Sequence, residues 1–333
     1  MKIFTPEYYN QFSCIAAACP DSCCKEWQVD VDETSAAFYR SLPGDLGQRL
    51  REVLYDEDGC TVMRNIGARC PMWRQDGLCQ IQAQLGHDAL CQTCRDFPRL
   101  SHDYGNFLER DLELSCPEAA RLIFANPFPE ILSESANGDT PVDYEPEVMA
   151  VLLKSREIAL NFLSEQAFPL EEALAILLLF AHDVQAAIDG DIFPDFDPAQ
   201  LLLQAKSYVQ AADIAPVFAF LKDLEILTPD WLSCLEKGSV CHGINQALLP
   251  LAAYGIRRYW LQAVSDYDLI CRVKFILIAC IVVSSMGGSP QKTAQKFSKE
   301  IENNPDNVDA ILDAAYTCPA FTDVQLLSLL LNA

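Results

Sequence analysis

Nine cysteines in three groups are the residues of this chain whose type and spacing best suit chemistry. The first group is Cys14-x4-Cys19-x3-Cys23-Cys24, followed by Trp27. The second is Cys70-Pro71-x7-Cys79, with Cys91-x2-Cys94 twelve residues later and then Arg95, Pro98 and Arg99. The third is the lone Ser115-Cys116-Pro117. Clustered thiolates suit a soft or borderline metal, and short loops between them let several sulfurs converge without a large core. Cys91-x2-Cys94 is a natural chelating pair, and the vicinal Cys23-Cys24 can donate two sulfurs or one. Four cysteines satisfy a structural zinc; a 4Fe–4S cluster takes four, or three with one iron open. Spacing does not choose between them. Where a C-x3-C-x2-C run would place its third ligand after Cys19 and Cys23, this chain has Glu26.

The remaining cysteines read as small buried hydrophobes. Cys60 stands apart between Gly59 and Thr61, and Cys234, Cys241, Cys271, Cys280 and Cys318 sit in or near apolar helices without a partner at ligand spacing. Of the four histidines, His87 and His102 share the cysteine region and His182 and His242 do not. Lone histidines more often take surface or capping positions than ligand positions. Cys241-His242 has only adjacency to recommend it, and adjacent side chains point apart. No G-x-G-x-x-G, P-loop or H-E-x-x-H occurs, so the sequence supports no nucleotide fold and no zinc-peptidase chemistry.

The segments that must hold the thiols are short. Pro20, Pro43, Gly44, Gly47, Gly59, Gly67, Pro71 and Gly77 punctuate the first part. One helix is predicted over Asp45 to Tyr55 and another from Glu118 to Phe124, with Pro117 in its first turn. Asn126-Pro127-Phe128-Pro129 and Ser135 to Pro141 are rich in turn formers. After Glu145 come long amphipathic runs, first through Val148, Val151, Leu152 and Ile158, then through Leu170, Leu174, Leu177 and Val184. Further helices are predicted over Ala199–Val209, Val217–Leu227, Asn245–Ala263, Leu269–Ser284 and Val324–Leu331. The class that follows is mainly α. A loop-rich, mostly helical, cysteine-rich metal-binding domain spans 1–125, a connecting segment 126–144, and an acidic α-helical domain 145–333.

Charge limits the partners. The chain carries 47 acidic and 24 basic residues, a net charge of −23, and residues from 126 onward hold 28 acidic and 12 basic of these. Such a surface repels nucleic acid and anionic lipid and favours a basic, lysine-presenting partner. Met1-Lys2-Ile3-Phe4-Thr5-Pro6-Glu7 has no apolar signal region. Phe275 to Val283 is far short of the roughly 20 apolar residues a bilayer span needs. A cytoplasmic, reduced setting is therefore expected, and there dense cysteines point to metal rather than disulfides.

The order of the cysteine groups resembles the flagellin lysine-N-methylase family. The resembling pieces are Phe12-x-Cys14-x4-Cys19-x3-Cys23-Cys24-x2-Trp27, Cys70-Pro71, Leu78-Cys79-x-Ile81 and Leu90-Cys91-x2-Cys94-Arg95-x-Phe97-Pro98-Arg99. The most telling is Leu112-x-Leu114-Ser115-Cys116-Pro117-Glu118-Ala119-Ala120-Arg121-Leu122. Shorter zinc- or iron-chelating domains share the early cysteines but lack this last piece and the helical half. Near the C-terminus the family tends to have an acidic residue followed by His, where this chain has Glu302-Asn303.

The resemblance implies a methyltransferase that moves a methyl group from S-adenosylmethionine to the ε-amine of flagellin lysines, with an iron–sulfur cluster on the cysteines. A lysine is almost fully protonated near neutral pH, so such an enzyme must remove a proton and align the lone pair with the methyl. Glu118 is the candidate base or ammonium holder, against the alternative of a helix-start carboxylate. Arg95 and Arg99 are candidates for bidentate binding of the methyl donor's carboxylate, against plain salt bridges. The competing reading is a non-enzymatic zinc- or iron-chelating module with a helical partner-binding domain.

Overall fold

The computed structural model describes residues 1–57, 59–136, 138, 141–237 and 243–332. Cys241 and His242 lie outside these. The strands among the described residues are β1 (Lys2–Pro6), β2 (Val29–Val31), β3 (Leu54–Glu57), β4 (Cys60–Met63), β5 (Arg99–Asp103), β6 (Phe107–Leu112) and β7 (Ile131–Ser135). They form two small sheets. In one, ordered β5-β6-β1-β7, β1 runs parallel to β6 with Ile3 opposite Leu108, and antiparallel to β7 with Phe4 opposite Ser133. The other, β2-β4-β3, is antiparallel and places Val29 opposite Met63.

Helices dominate the rest, so the mainly α class holds. They are α1 (Glu33–Ser41), α2 (Gly44–Val53), α3 (Gln80–Leu85), α4 (Gln92–Asp96), α5 (Pro117–Ala125), α6 (Pro146–Glu165), α7 (Leu170–Ile188) and α8 (Pro198–Ser207). After them come α9 (Ala215–Lys222), α10 (Pro229–Lys237), α11 (Leu249–Tyr259), α12 (Ile270–Met286), α13 (Pro290–Phe297), α14 (Pro305–Thr317) and α15 (Asp323–Leu331). One expectation is corrected: the cysteine-bearing part is mixed rather than mostly helical. The helix predicted to reach Tyr55 stops at Val53, because Leu54 and Tyr55 pair with Met63 and Val62 in the smaller sheet. Even the turn-rich stretch after Asn126 contributes an edge strand, β7.

Two apolar cores organise these elements. The larger joins α5 to α15 with Tyr8, Phe12, Tyr104, Phe107, Leu112 and Leu114. At its centre α12 is buried on nearly every face and packs on α7, α11, α13, α14 and α15. A helix apolar all round belongs in a core. Its two buried cations are compensated: Arg272 pairs with Asp266 at 2.9 Å, and Lys274 with Asp323 at 2.9 Å and the Ala315 carbonyl at 2.8 Å. No helix among the described residues is long and apolar enough to cross a membrane.

The smaller core lies wholly between Val29 and Cys91, with Tyr39, Leu50 and Met72 at its centre and Cys70 and Cys91 among its members. Its size makes individual polar ties matter. Asp32 caps α1 by accepting the Ser35 amide at 2.9 Å, and its other oxygen accepts the Gln92 amide at the start of α4, also at 2.9 Å. One carboxylate thus fixes α1 to the helix that carries Cys94. Those backbone donors hold its pKa down at about 2. Asp32→Ala is expected to lower stability by about 1 kcal/mol in thermal unfolding near neutral pH. Because the folded-state pKa is depressed, this contribution is present above the ordinary carboxylate range and fades as pH falls towards 2. The gap between wild type and variant should narrow over that acid window. A gap constant with pH would show that the carboxylate charge is not what ties the helices.

Candidate active site

The thiols are carried on loops and helix starts. Cys14, Cys19, Cys23 and Cys24 lie on the loop between β1 and β2, where Ala16 and Glu26 adopt positive φ to make its turns. The Cys19 thiol donates to the Asp21 carbonyl at 3.2 Å, and the Cys70 amide donates to the Cys24 carbonyl at 2.9 Å. Cys79, Cys91 and Cys116 each occupy the residue just before a helix, α3, α4 and α5 respectively. A helix start favours a thiolate, because unpaired backbone N–H groups face it.

The structure brings these sulfurs into two neighbourhoods. Cys24, Cys70, Cys79, Cys91 and Cys94 pack in or against the smaller core, while Cys116 belongs to the larger one. Hydrogen bonds from the Cys23 and Cys70 thiols hold Cys24 well below the ordinary thiol range, and donation from Cys94 does the same for Cys91. The donors Cys23, Cys70 and Cys94 are raised in turn. Burial pushes Cys116 up to about 11 against the N–H groups of Ala119 and Glu118, and Cys19 and Cys14 add to the rise. Burial likewise raises Cys79, with a smaller push from Cys24 and Cys91. No disulfide links the described cysteines, and no three His, Cys, Asp or Glu side chains among the described residues close on a point as a single bound ion requires. Cys60 is exposed, Cys271 and Cys280 are buried in α12, and Cys234 and Cys318 are half-buried.

Beside the Cys14–Cys24 loop lies a cavity of about 480 Å³. The loop supplies Ile15, Pro20, Asp21 and Glu26; α5 supplies Pro117, Glu118, Ala120 and Arg121; the C-terminal helices supply Asp230, Trp231, Gln295, Lys299 and Glu300. The sequence of α5 explains its place. Cys116 precedes Pro117, whose fixed φ opens the helix, and the fully buried Ala119 and Ala120 let α11 and α13 approach closely. Glu118 then faces the cavity, where Arg121 grips it through two hydrogen bonds of 2.9 and 2.7 Å. That guanidinium holds the carboxyl below its ordinary range, so it serves an ammonium better as a charge partner than as a proton acceptor.

Arg95 and Arg99 are not brought here. Arg95 reaches only the carbonyls of Asp88 and Leu90, at 3.5 Å each, and Arg99 lies over the rings of Tyr9 and Phe12. His87 is a surface residue 3.8 Å from Asp88.

Sequence reasoning missed the residue that joins loop to helices. Lys299, 5% exposed, pairs with Asp21 at 2.8 Å and Glu26 at 2.6 Å, and sits 5.1 Å above the Trp27 ring. Gln295 adds bonds to Asp21 at 3.0 Å and the Ser115 carbonyl at 2.7 Å. Lys299 and Glu300 belong to a π-helical turn, Ser298–Glu302, which is buried throughout. Glu300 is raised by burial although it accepts from Thr228 and the Leu227 amide. The only available signal was the charged run Lys299-Glu300-x-Glu302, and charge runs usually mark a solvated face. Lys299→Met leaves Asp21 and Glu26, each about three-quarters buried, without their cation, and is expected to cost about 3 kcal/mol in denaturant unfolding. Limited proteolysis of that variant should open the chain within residues 14–26 first. Unchanged stability and cleavage would remove Lys299 as the tether.

Comparisons with known proteins can be set beside this geometry. The chain is 28% identical over 271 residues to a protein named Lysine-N-methylase from Salmonella typhimurium strain LT2, which covers 76% of this chain and 68% of that relative. The protein of the same name from Salmonella choleraesuis matches to the same extent. The flagellar biosynthetic protein FliU of Salmonella muenchen is 32% identical over 141 residues, 40% of this chain and 83% of its own length. No protein-family model and no solved structure matches. The chain belongs to the lysine-N-methylase family.

Proposed function

We propose that this protein is a lysine N-methyltransferase that moves a methyl group from S-adenosylmethionine to the ε-amine of flagellin lysines. The observation that carries this reading is the cavity where the cysteine loop, the Ser-Cys-Pro-Glu helix start and the C-terminal helices meet, in a chain of this family. FliU, by its name, is a flagellar protein, and an acidic surface suits a lysine-presenting partner.

In the reaction the ammonium first loses its proton to a carboxylate of the cavity or to water. The amine lone pair then attacks the methyl carbon, the sulfur–methyl bond breaks, and its electron pair stays on sulfur, which becomes a neutral thioether. Glu118, whose partner Arg121 is more than half exposed, is placed to share its charge with an incoming ammonium. Trp231 and Ala120 give the cavity apolar wall that limits water around the amine. Glu300 is the cavity carboxyl with its pKa shifted towards the proton-accepting range.

The thiol set is chemically suited to an iron–sulfur cluster. The sulfurs are soft, and ionised thiols at Cys14 and Cys116 raise Cys23 while those at Cys19 and Cys14 raise Cys116, a cost that a cationic centre would relieve. When bound, a cluster would cross-link the loop to the start of α5 and offer the methyl donor a docking face. Cys24, Cys70, Cys79, Cys91 and Cys94 are the further thiols available to it or to a zinc.

Anaerobically purified protein is expected to be brown, with roughly four irons and four sulfides per chain. A colourless protein with one or two zincs would replace the cluster with a structural site. Incubated with flagellin and methyl-labelled donor, the metal-loaded protein should place label on lysine. Glu118→Gln should lower that rate at least tenfold while leaving metal content unchanged, and Cys116→Ser should lower both. No label from fully loaded protein would overturn the enzyme reading. It would favour a chelating module with a partner-binding helical part.

A further inference from the structure

A second and larger cavity, about 1110 Å³, lies between the four-stranded sheet and α6, with the end of α11 as its floor. It shares no lining residue with the first. Its charge runs against that of the chain. Lys2, Arg110, Lys154, Arg156, Arg257 and Arg258 line it against only Glu109, Asp111 and Glu157. A chain of net charge −23 thus commits six of its 24 basic residues to one concavity. Two of the three acids are already engaged: Glu109 takes Arg156 through two bonds of 2.8 and 2.6 Å, and Asp111 accepts the Tyr8 hydroxyl at 2.5 Å.

Unused donors face the same space. The Arg257 and Arg258 side chains are about nine-tenths buried; the Nε atom of Arg258 has no partner, and that of Arg257 has only Asp111 at 3.6 Å, beyond hydrogen-bond distance. Arg257 spends its other nitrogens on the Pro127 carbonyl and Tyr8, and Arg258 spends one on Tyr254, with Glu113 no closer than 3.7 Å. Nε2 of His102, on β5, is also buried without a partner. Burying guanidinium N–H groups unpaired is costly, and an oxyanion set among them would remove that cost. The remaining walls are apolar, with Phe4, Phe107, Leu153 and Leu160. Charge, spare donors and apolar walls together describe a mouth for an organic anion, and the volume is that of a small-molecule site.

We propose that this cavity binds a nucleotide-sized organic anion whose carboxylate or phosphate meets Arg257 and Arg258 and whose flat body lies against Phe4 and Phe107. The site does not depend on the methyl-transfer reading. Arg258 nonetheless touches Tyr254, whose hydroxyl accepts from the Leu114 amide at 3.4 Å, and the neighbouring Ser115 carbonyl accepts from Gln295 at the first cavity. Only the Leu114-Ser115 backbone separates the two sites along this relay.

The test is calorimetric titration of the full chain with two probes, ADP for a phosphate-bearing ligand and folate for a carboxylate-bearing one, neither of them related to the methyl donor of the first cavity. At least one should bind saturably, and the stronger identifies the anion type. Lys2→Glu/Lys154→Glu, at two exposed positions on the rim, should weaken it at least tenfold without altering thermal stability. Lys292→Glu, in the first cavity, should leave it unchanged. Saturable binding of neither probe would overturn the proposal. So would binding that survives the double charge reversal, or that Lys292→Glu abolishes, since the ligand would then sit elsewhere.

Discussion

One buried ammonium ties the cysteine loop of this molecule to its C-terminal helices. The cysteine loop has no apolar core of its own, and a loop fixed only by solvent-exposed contacts would sample many geometries. Lys299 removes that freedom by presenting a single charge to Asp21 and Glu26, five residues apart on the loop, while its stem lies against Trp27. Gln295, one helical turn earlier, bonds both the loop at Asp21 and the α5 approach at Ser115. Cys19, Cys23 and Cys116 are therefore positioned from the C-terminal helices, which lie far from all three along the chain.

The same logic explains why the larger core reaches back into the first part. Tyr8, Phe12, Leu112 and Leu114 belong to it, although the segments that carry them flank the separate smaller core. The chain leaves the helical mass after the four cysteines of the loop, builds the compact unit that holds Cys70, Cys79, Cys91 and Cys94, and returns with Cys116. Such an excursion lets two walls of different origin meet at one cavity. It also means that local sequence can specify the thiol pairs but not the acidic groups that face them.

That division marks what the sequence made legible. Helices α6, α7, α12 and α15 were plain because their apolar faces repeat at the helical period over long runs. The start of α5 was plain because Cys116-Pro117-Glu118 combines a fixed φ with a favourable first turn. The strands were hidden because each is six residues or fewer, and β2 and β4 acquire their pattern only by pairing with one another. Arg95 and Arg99 were drawn in as candidates by their nearness in sequence to Cys94, yet the chain turns between them and the cavity. Lys299 carried only the mark of a charged run, because its meaning depends on two carboxylates more than 270 residues distant. Glu118 was found, but its pairing with Arg121 altered the role its position suggested.

The π-helical turn at Ser298–Glu302 aims its three charged side chains at three different partners. Lys299 meets the cysteine loop, Glu300 meets Thr228, and Glu302 meets the hydroxyls of Tyr254 and Tyr259. A π turn accommodates one residue more than an α-helical turn does. Deleting one residue here would restore ordinary helical winding and remove one of the side-chain directions that the wider turn presents. All three partnerships could not then be kept at once. This stretch is accordingly constrained in length as well as at Lys299, and relatives are expected to preserve its number of residues.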